Sequence, residues 1–141
     1  MKVNIFLNFD GCAEEAFRLY ERAFGTKIKS IFRVKDSPMK DDFPAEAQES
    51  VLWMDMELGG VSLYGEDLQF FSCTGKVAPP DRSRYPGQFI SIDLQTKEQV
   101  DDICTVLSEG GRVLTPGNKT FFSEYYCRLI DRYGVGWELM L

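Results

Sequence analysis

The order strand, helix, strand, hairpin occurs twice along this chain of 141 residues. In the first half, apolar periodicity and turn residues predict strands at 3–9, 27–34, 50–58 and 61–64, and a helix at 12–24. Gly59 and Gly60 join the last two strands as a two-residue hairpin, because such turns favour φ > 0 at both positions. An antiparallel hairpin at this place argues against a doubly wound parallel sheet.

The second half repeats this order. Its predicted strands lie at 88–94, 112–115, 124–131 and 135–141, and its predicted helix lies at 96–107. Thr96 and Gln99 have the spacing of a capping box at the start of that helix, and Gly134 marks the last hairpin turn. The sequence therefore predicts an α+β fold in which two βαβββ modules form a curved mixed sheet around a cleft.

Two segments lack this periodicity and are predicted to be connections. The segment 72–87 contains two glycines and three prolines, which indicates a linker between a first module at 1–71 and a second at 88–141. Together they are expected to form a single domain over residues 1–141. The segment 35–49 carries two prolines and five acidic residues. It is placed like a lid, and the alternative is a solvated acidic connection.

Charge and composition narrow the possible functions. The net charge is −6 and the basic residues are scattered, so a nucleic-acid partner is not expected. No apolar run approaches the roughly 18 residues of a membrane span, and the N-terminal segment lacks the pattern of a signal peptide. We therefore expect a cytoplasmic protein with no membrane partner. The chain contains no histidine, which excludes a Ser-His-Asp triad.

The four cysteines are Cys12, Cys73, Cys104 and Cys127, and no two of them have CxxC spacing. No histidine is present to complete a zinc site with them. In a cytoplasmic protein such cysteines are typically buried free thiols. We expect this state rather than a structural disulfide or a thiolate metal site.

Several motifs resemble those of one protein family. They are FLNFDGCAEEAFRLYERAFG at 6–25, ELGG at 57–60, LSEGG at 107–111 and DRYGVGWEL at 131–139. Together they resemble PhnB-like proteins of the glyoxalase/bleomycin resistance/dioxygenase (vicinal-oxygen-chelate) superfamily. The resemblance implies the fold but no single activity, because one fold hosts many functions. Such proteins are often described as 3-demethylubiquinone methyltransferases, but no glycine-rich loop that would hold S-adenosylmethionine is visible in this sequence.

The resemblance also implies where a metal would bind. In this superfamily each half typically offers one ligand from its first strand and one from its last strand to a divalent metal. Glu138 occupies the last-strand position of the second half and fits this pattern. Its counterpart in the first half is Tyr64, and the first-strand positions fall near 3–5 and at Phe89. Trp53 stands where many such sequences carry a histidine. Because Glu138 is the only retained ligand, we expect no metal cofactor.

Seven residues are candidates for a ligand pocket. They are Trp53, Asp55, Tyr64, Phe89, Tyr126, Arg128 and Glu138. A carboxylate that faces the cleft needs a partner, and Arg128 on the other strand of the last hairpin is the nearest cation to Glu138. The aromatic candidates, with Tyr125, would line a flat apolar pocket, and the alternative is that they form ordinary core or a dimer interface.

Three functions remain open at this point. We favour a metal-free small-molecule-binding module, a homodimer whose clefts take a small aromatic or amphipathic molecule. The first alternative is a divergent divalent-metal lyase or dioxygenase that uses Glu138 and Asp55. The second is a structural or interaction protein whose cleft is filled by its own side chains.

Overall fold

The computed structural model describes residues 1–67 and 86–141, which fall into two compact units. All but the last two residues of the predicted linker at 72–87 lie outside the described residues.

The first unit is a four-stranded mixed sheet with one helix. Its elements are β1 (Asn4–Phe9), α1 (Ala13–Phe24), β2 (Ile28–Arg33), β3 (Val51–Leu58) and β4 (Val61–Asp67). The sheet has the order β1-β4-β3-β2, in which β1 and β4 are parallel and the other neighbours are antiparallel. Three short 3₁₀ turns lie between β2 and β3, and they are Val34–Asp36, which begins in the last residue of the predicted strand 27–34, Lys40–Asp42 and Ala45–Ala47.

Helix α1 packs one apolar face against this sheet. Phe17 and Tyr20 on that face are fully buried. Phe17 lies so close to Gly65 of β4 that a Cβ at position 65 would come within 2.5 Å of its ring. Gly59 and Gly60 both have positive φ, 57° and 84°, as the predicted hairpin between β3 and β4 requires.

A buried carboxylate fixes the start of α1. Asp67 at the end of β4 accepts hydrogen bonds of 2.9 Å from the amides of Ala13 and Val51. Burial raises the pKa of Asp67 above its ordinary value. The helix therefore begins against a residue 54 positions away in sequence, which local sequence patterns do not reveal.

The second unit repeats this architecture. Its elements are β5 (Phe89–Asp93), α2 (Lys97–Leu107), β6 (Arg112–Asn118), β7 (Tyr126–Ile130) and β8 (Gly136–Met140). The sheet order is β5-β8-β7-β6, with β5 and β8 parallel. The capping box is present. The backbone amide of Gln99 donates to Thr96 Oγ1, and the backbone amide of Thr96 donates to Gln99 Oε1, both at 3.2 Å. The predicted α+β fold of two βαβββ modules is confirmed.

Helix α2 covers the side of the sheet that carries Cys127, Leu129, Trp137 and Leu139, all four fully buried. Cys104 on α2 forms a disulfide with Cys127 on β7. The expectation of free thiols is therefore wrong for these two residues. Their Cα atoms are 6.9 Å apart because one faces the sheet from the helix and the other faces the helix from the sheet.

The two remaining cysteines lie elsewhere. Cys12 is half-buried immediately before α1. Cys73 lies outside the described residues. Within the described part of the chain, no helix is long and apolar enough to cross a membrane.

Candidate functional site

Each sheet has one face against its helix and one face opposite to it. Because side chains alternate along a strand, the residues before and after a helix-facing residue lie on the opposite face. In β8, Trp137 and Leu139 face α2, so Glu138 lies on the other side. The register pairs Glu138 with Ser91 of β5 and with Arg128 of β7.

The carboxylate of Glu138 is held by two neighbours on that face. Its Oε1 atom accepts hydrogen bonds of 2.8 Å from Tyr126 Oη and from Arg128 Nε, and a further short one from Arg128 Nη2. The side chains of Glu138 and Arg128 are 18% and 33% exposed. The expected ion pair between them is thus present. Among residues 1–67 and 86–141, none donates a hydrogen bond to Oε2 of Glu138.

These contacts set the charge state of the network. Burial raises the pKa of Glu138, but the hydrogen bonds from Arg128 and Tyr126 outweigh this effect and hold the pKa below its ordinary value. Burial, together with the hydrogen bond donated to Glu138, raises the pKa of Tyr126. At neutral pH the network therefore contains an ionised carboxylate and a neutral phenol.

Aromatic rings flank this network. The guanidinium of Arg128 lies 4.5 Å above the ring of Phe89, a cation–π contact. Gly136 makes room for that ring, since a Cβ at this position would come within 2.7 Å of it. Phe122 contacts the other donor, Tyr126, edge to face with ring centroids 5.1 Å apart.

Sequence reasoning missed two members of this face, Phe122 and Ser91. Phe122 is 56% exposed and belongs to the connection between β6 and β7. The signal that could have identified it is the Phe121-Phe122 pair, an apolar pair inside an otherwise polar connection. By contrast, Tyr125 donates a hydrogen bond of 2.8 Å to Asp101 of α2, so it lies on the helix side and does not line the aromatic face.

In the first unit, the face opposite α1 is aromatic. Tyr64 lies between Phe6 and Trp53, with ring centroids 6.0 Å and 5.4 Å away. Asp55 pairs with Tyr64 in the register, and its carboxylate accepts a hydrogen bond of 2.5 Å from Ser30. Trp53, Asp55 and Tyr64 therefore share one face, as the candidate pocket required.

The register also shows which residues correspond between the units. Tyr64 lies between Phe6 and Asp55, just as Glu138 lies between Ser91 and Arg128. Tyr64 is therefore the counterpart of Glu138, in agreement with the hairpin count. The first-strand residues beside them are Phe6 and Ser91, rather than residues 3–5 and Phe89.

The seven predicted site residues thus form two groups, one in each unit. The first group contains Trp53, Asp55 and Tyr64, and the second contains Phe89, Tyr126, Arg128 and Glu138.

The surroundings of Glu138 do not suit a divalent metal. The guanidinium of Arg128 is hydrogen-bonded to the carboxylate, and its positive charge at this distance would repel the ion. The other neighbours, Tyr126 and Ser91, offer neutral hydroxyls. Within the two described stretches, no three His, Cys, Asp or Glu side chains are grouped so that they could hold a metal ion.

A separate cavity of about 430 Å³ lies in the first unit, beside the start of α1. Many of the residues that line it are charged and form hydrogen bonds with one another. Arg33 forms a short hydrogen bond to Glu14 and donates one of 2.9 Å to the backbone oxygen of Glu49. The hydrogen bond and charge of Arg33 hold the pKa of Glu14 below its ordinary value, against the effect of burial. None of the seven predicted residues lines this cavity, but the predicted lid segment contributes Glu46 and Glu49.

Comparison with known proteins agrees with this fold. The family model described as 3-demethylubiquinone-9 3-methyltransferase matches residues 1–140. No curated protein matches the sequence. A solved structure of a PhnB protein from Bacillus cereus is 26% identical, covers 100% of this chain and 99% of its own, and has a TM-score of 0.76.

Two further solved structures show the same fold at lower identity. A protein from Pseudomonas aeruginosa is 24% identical, with 99% of this chain and 96% of that chain covered and a TM-score of 0.79. A glyoxylase/bleomycin resistance protein/dioxygenase domain from a Frankia species is 15% identical, with 100% and 90% covered and a TM-score of 0.68. The chain shares its fold with the Frankia domain and resembles the PhnB protein, and it belongs to the family described as 3-demethylubiquinone-9 3-methyltransferase.

Proposed function

We propose that this protein is a small-molecule-binding module that works without a bound metal and holds its ligand at Glu138. The observation that carries the proposal is the carboxylate itself. Arg128 and Tyr126 fix its Oε1 atom, while Oε2 receives no hydrogen bond from the described residues. An ionised, oriented acceptor of this kind suits a hydroxyl, amine or amide donor on a ligand.

The neighbouring rings indicate the rest of the ligand. Phe89 contacts Arg128 and Phe122 contacts Tyr126, and both rings offer apolar surface for a flat group. Ligand sites are typically apolar walls with a few placed polar groups. The ligand class is therefore a small aromatic or amphipathic molecule with at least one hydrogen-bond donor.

Thermal shift and calorimetric titration with phenols and aromatic amines test this proposal. Each phenol is paired with its O-methyl ether and each amine with its N,N-dimethyl derivative, which keep the ring but lack the donor. We expect the donor compounds to stabilise the protein and the Glu138→Gln variant to lose most of that stabilisation. Glu98→Gln, an exposed change on α2, is the matched control and should bind as the wild type does. Equal binding by both variants would contradict a role for Glu138.

The absence of a metal needs its own test. The purified protein, without a histidine tag, is exposed to Zn, Ni, Mn and Fe and then analysed for bound elements. We expect far less than one metal per chain, because the positive charge of Arg128 lies against the carboxylate and would repel the ion. About one tightly held metal per chain would instead favour a divergent lyase or dioxygenase.

We further propose that the protein is a cytoplasmic homodimer. The resemblance to a superfamily whose members are commonly homodimers is the basis of this proposal. Light scattering after size-exclusion chromatography tests it, with twice the chain mass of 16.1 kDa as the expected result.

A further inference from the structure

The disulfide between Cys104 and Cys127 joins α2 to β7 on the side of the sheet away from Glu138. We propose that this pair is a redox-modification site, which low-molecular-weight thiols and disulfides of the glutathione type open and close. The proposal concerns the bond itself and does not depend on which ligand binds at Glu138.

The two cysteine residues differ in their exposure to solvent. Cys127 is fully buried beneath α2, whereas Cys104 is only half-buried on the helix. Thiol–disulfide exchange requires a thiolate to reach one sulfur of the bond, and access decides which one is attacked. Cys104 is therefore the sulfur that an external thiolate attacks, and Cys127 is the leaving group.

The exchange balances with two thiols. The first thiolate attacks Cys104, which breaks the bond to Cys127 and forms a mixed disulfide on Cys104, while the released Cys127 thiolate takes up a proton. The second thiolate attacks the external sulfur of that mixed disulfide, which yields the small disulfide and the Cys104 thiol. In sum, the protein disulfide and two small thiols become a protein dithiol and one small disulfide. Oxidation by the small disulfide runs the same steps in reverse.

The disulfide lies next to the candidate site, so that its oxidation or reduction affects the residues that hold Glu138. Cys127 lies in β7 between Tyr126 and Arg128, and alternation points those two side chains to the opposite face, where they hold Glu138. The disulfide thus anchors Cys127 to α2, and Cys127 lies between the two residues that donate hydrogen bonds to Glu138. Its opening removes that anchor from β7, while the backbone ladder of the sheet stays in place.

Trypsin makes the pair easy to follow, because cleavage after Lys and Arg places each cysteine in a different peptide. These peptides are 3–18 for Cys12, 41–76 for Cys73, 98–112 for Cys104 and 120–128 for Cys127. The protein is equilibrated with reduced and oxidised glutathione over a wide range of ratios, quenched with iodoacetamide under denaturing conditions, and analysed by mass spectrometry. We expect peptides 98–112 and 120–128 to be linked to each other at the oxidising end, and each to carry one alkyl group at the reducing end.

Three results would overturn the proposal. The first is a failure to find peptides 98–112 and 120–128 linked under oxidising conditions. The second is a link that persists at the most reducing ratio, which would make the bond a fixed cross-link. The third is loss of the folded circular dichroism spectrum on reduction, which would make reduction an unfolding event.

Variants distinguish exchange at the Cys104–Cys127 disulfide from the reactivity of the other thiols. Cys104→Ser removes the accessible sulfur and leaves Cys127 in place. In this variant, the alkylation of Cys127 should no longer depend on the glutathione ratio. Cys12→Ser is the matched control, and it should shift with the ratio as the wild type does. Hydrogen exchange measured on peptide 120–128 should be several-fold faster in the reduced protein than in the oxidised protein. Equal exchange in both states would show that the bond does not restrain β7.

Discussion

Tyr64 on β4 and Glu138 on β8 occupy equivalent positions, each between the parallel first strand and the antiparallel partner of its own sheet. Tyr64 is surrounded by the rings of Phe6 and Trp53, whereas Glu138 is bonded to Arg128 and Tyr126. One unit therefore presents an aromatic surface where the other presents an oriented carboxylate.

The helix-facing sides of the two sheets do not differ in this way. Met54, Met56 and Leu63 in the first unit, and Leu129, Trp137 and Leu139 in the second, are all fully buried apolar residues. The fold requires apolar residues only where a sheet packs on its helix. The opposite face is free to vary, which is why two modules of one architecture can carry different chemistry.

The largest expected difference between the units comes from the disulfide, which links α2 to β7, whereas Cys12 beside α1 is not in a disulfide. The bond closes a loop with a sequence separation of 23 residues, so its removal by Cys104→Ala should lower the free energy of unfolding by about 3 kcal/mol. Denaturant titration of the oxidised wild type and the variant measures this. Cys12→Ser is the control with little expected effect. An equal loss in both variants would mean that the second unit gains nothing from its cross-link.

Removal of the cation beside Glu138 should have the next largest effect. Arg128→Met leaves the carboxylate with Tyr126 as its only described donor and should cost about 2 kcal/mol. This value is below that of a fully buried pair because Glu138 and Arg128 are 18% and 33% exposed. Arg112→Met, at an exposed position of β6, is the matched control.

The double variant Arg128→Met with Glu138→Gln decides the cause of that loss. Because the uncompensated charge is then gone, the double variant should recover part of the stability that Arg128→Met alone loses. If it recovers nothing, Arg128 acts through its packing on Phe89 rather than through its charge.

A smaller effect is expected from pH. The pKa of Glu138 in the folded protein is lower than its ordinary value of 4.5, which applies to the unfolded chain. As the pH falls, the carboxyl of Glu138 is therefore protonated in the unfolded chain before it is protonated in the folded protein. The ionised carboxylate stabilises the fold above the ordinary pKa, and this stabilisation is lost as the pH falls through the folded pKa. Denaturant titrations of the wild type and Glu138→Gln at neutral and acidic pH should show a steeper acid loss in the wild type. Parallel curves would mean that Glu138 is not held by the network.

The sequence predicted what is periodic or local and missed what depends on distant contacts. The capping box of Thr96 and Gln99 lies within four consecutive residues and was identified correctly. The bond between Cys104 and Cys127 was not, because it depends on the rotation of α2 about its axis and on which face of β7 Cys127 occupies. The carboxylate of Asp67 at the start of α1 is a contact of the same kind.

The candidate site shows the same division. Strand alternation and the hairpin count identified Tyr64 of the first module as the counterpart of Glu138 in the second, and paired Glu138 with Arg128. The first-strand neighbours were misplaced, because the register of a parallel pair is set by a crossover helix and leaves no turn to count from. Phe122 was missed because a side chain in a connection has no periodicity.

The smallest expected effect is on the aromatic face of the first unit. Trp53 is 38% exposed and contacts Tyr64 with ring centroids 5.4 Å apart. Trp53→Ala should therefore lower the free energy of unfolding by only about 1 kcal/mol, since the side chain is exposed and an aromatic pair contributes about 0.5–1.5 kcal/mol beyond its buried area. The acid dependence that distinguishes the wild type from Glu138→Gln should be unchanged in this variant. A loss of several kcal/mol would show that the aromatic face of the first unit is part of a packed core, and the contrast with the charged face of the second unit would then be one of burial as well as of chemistry.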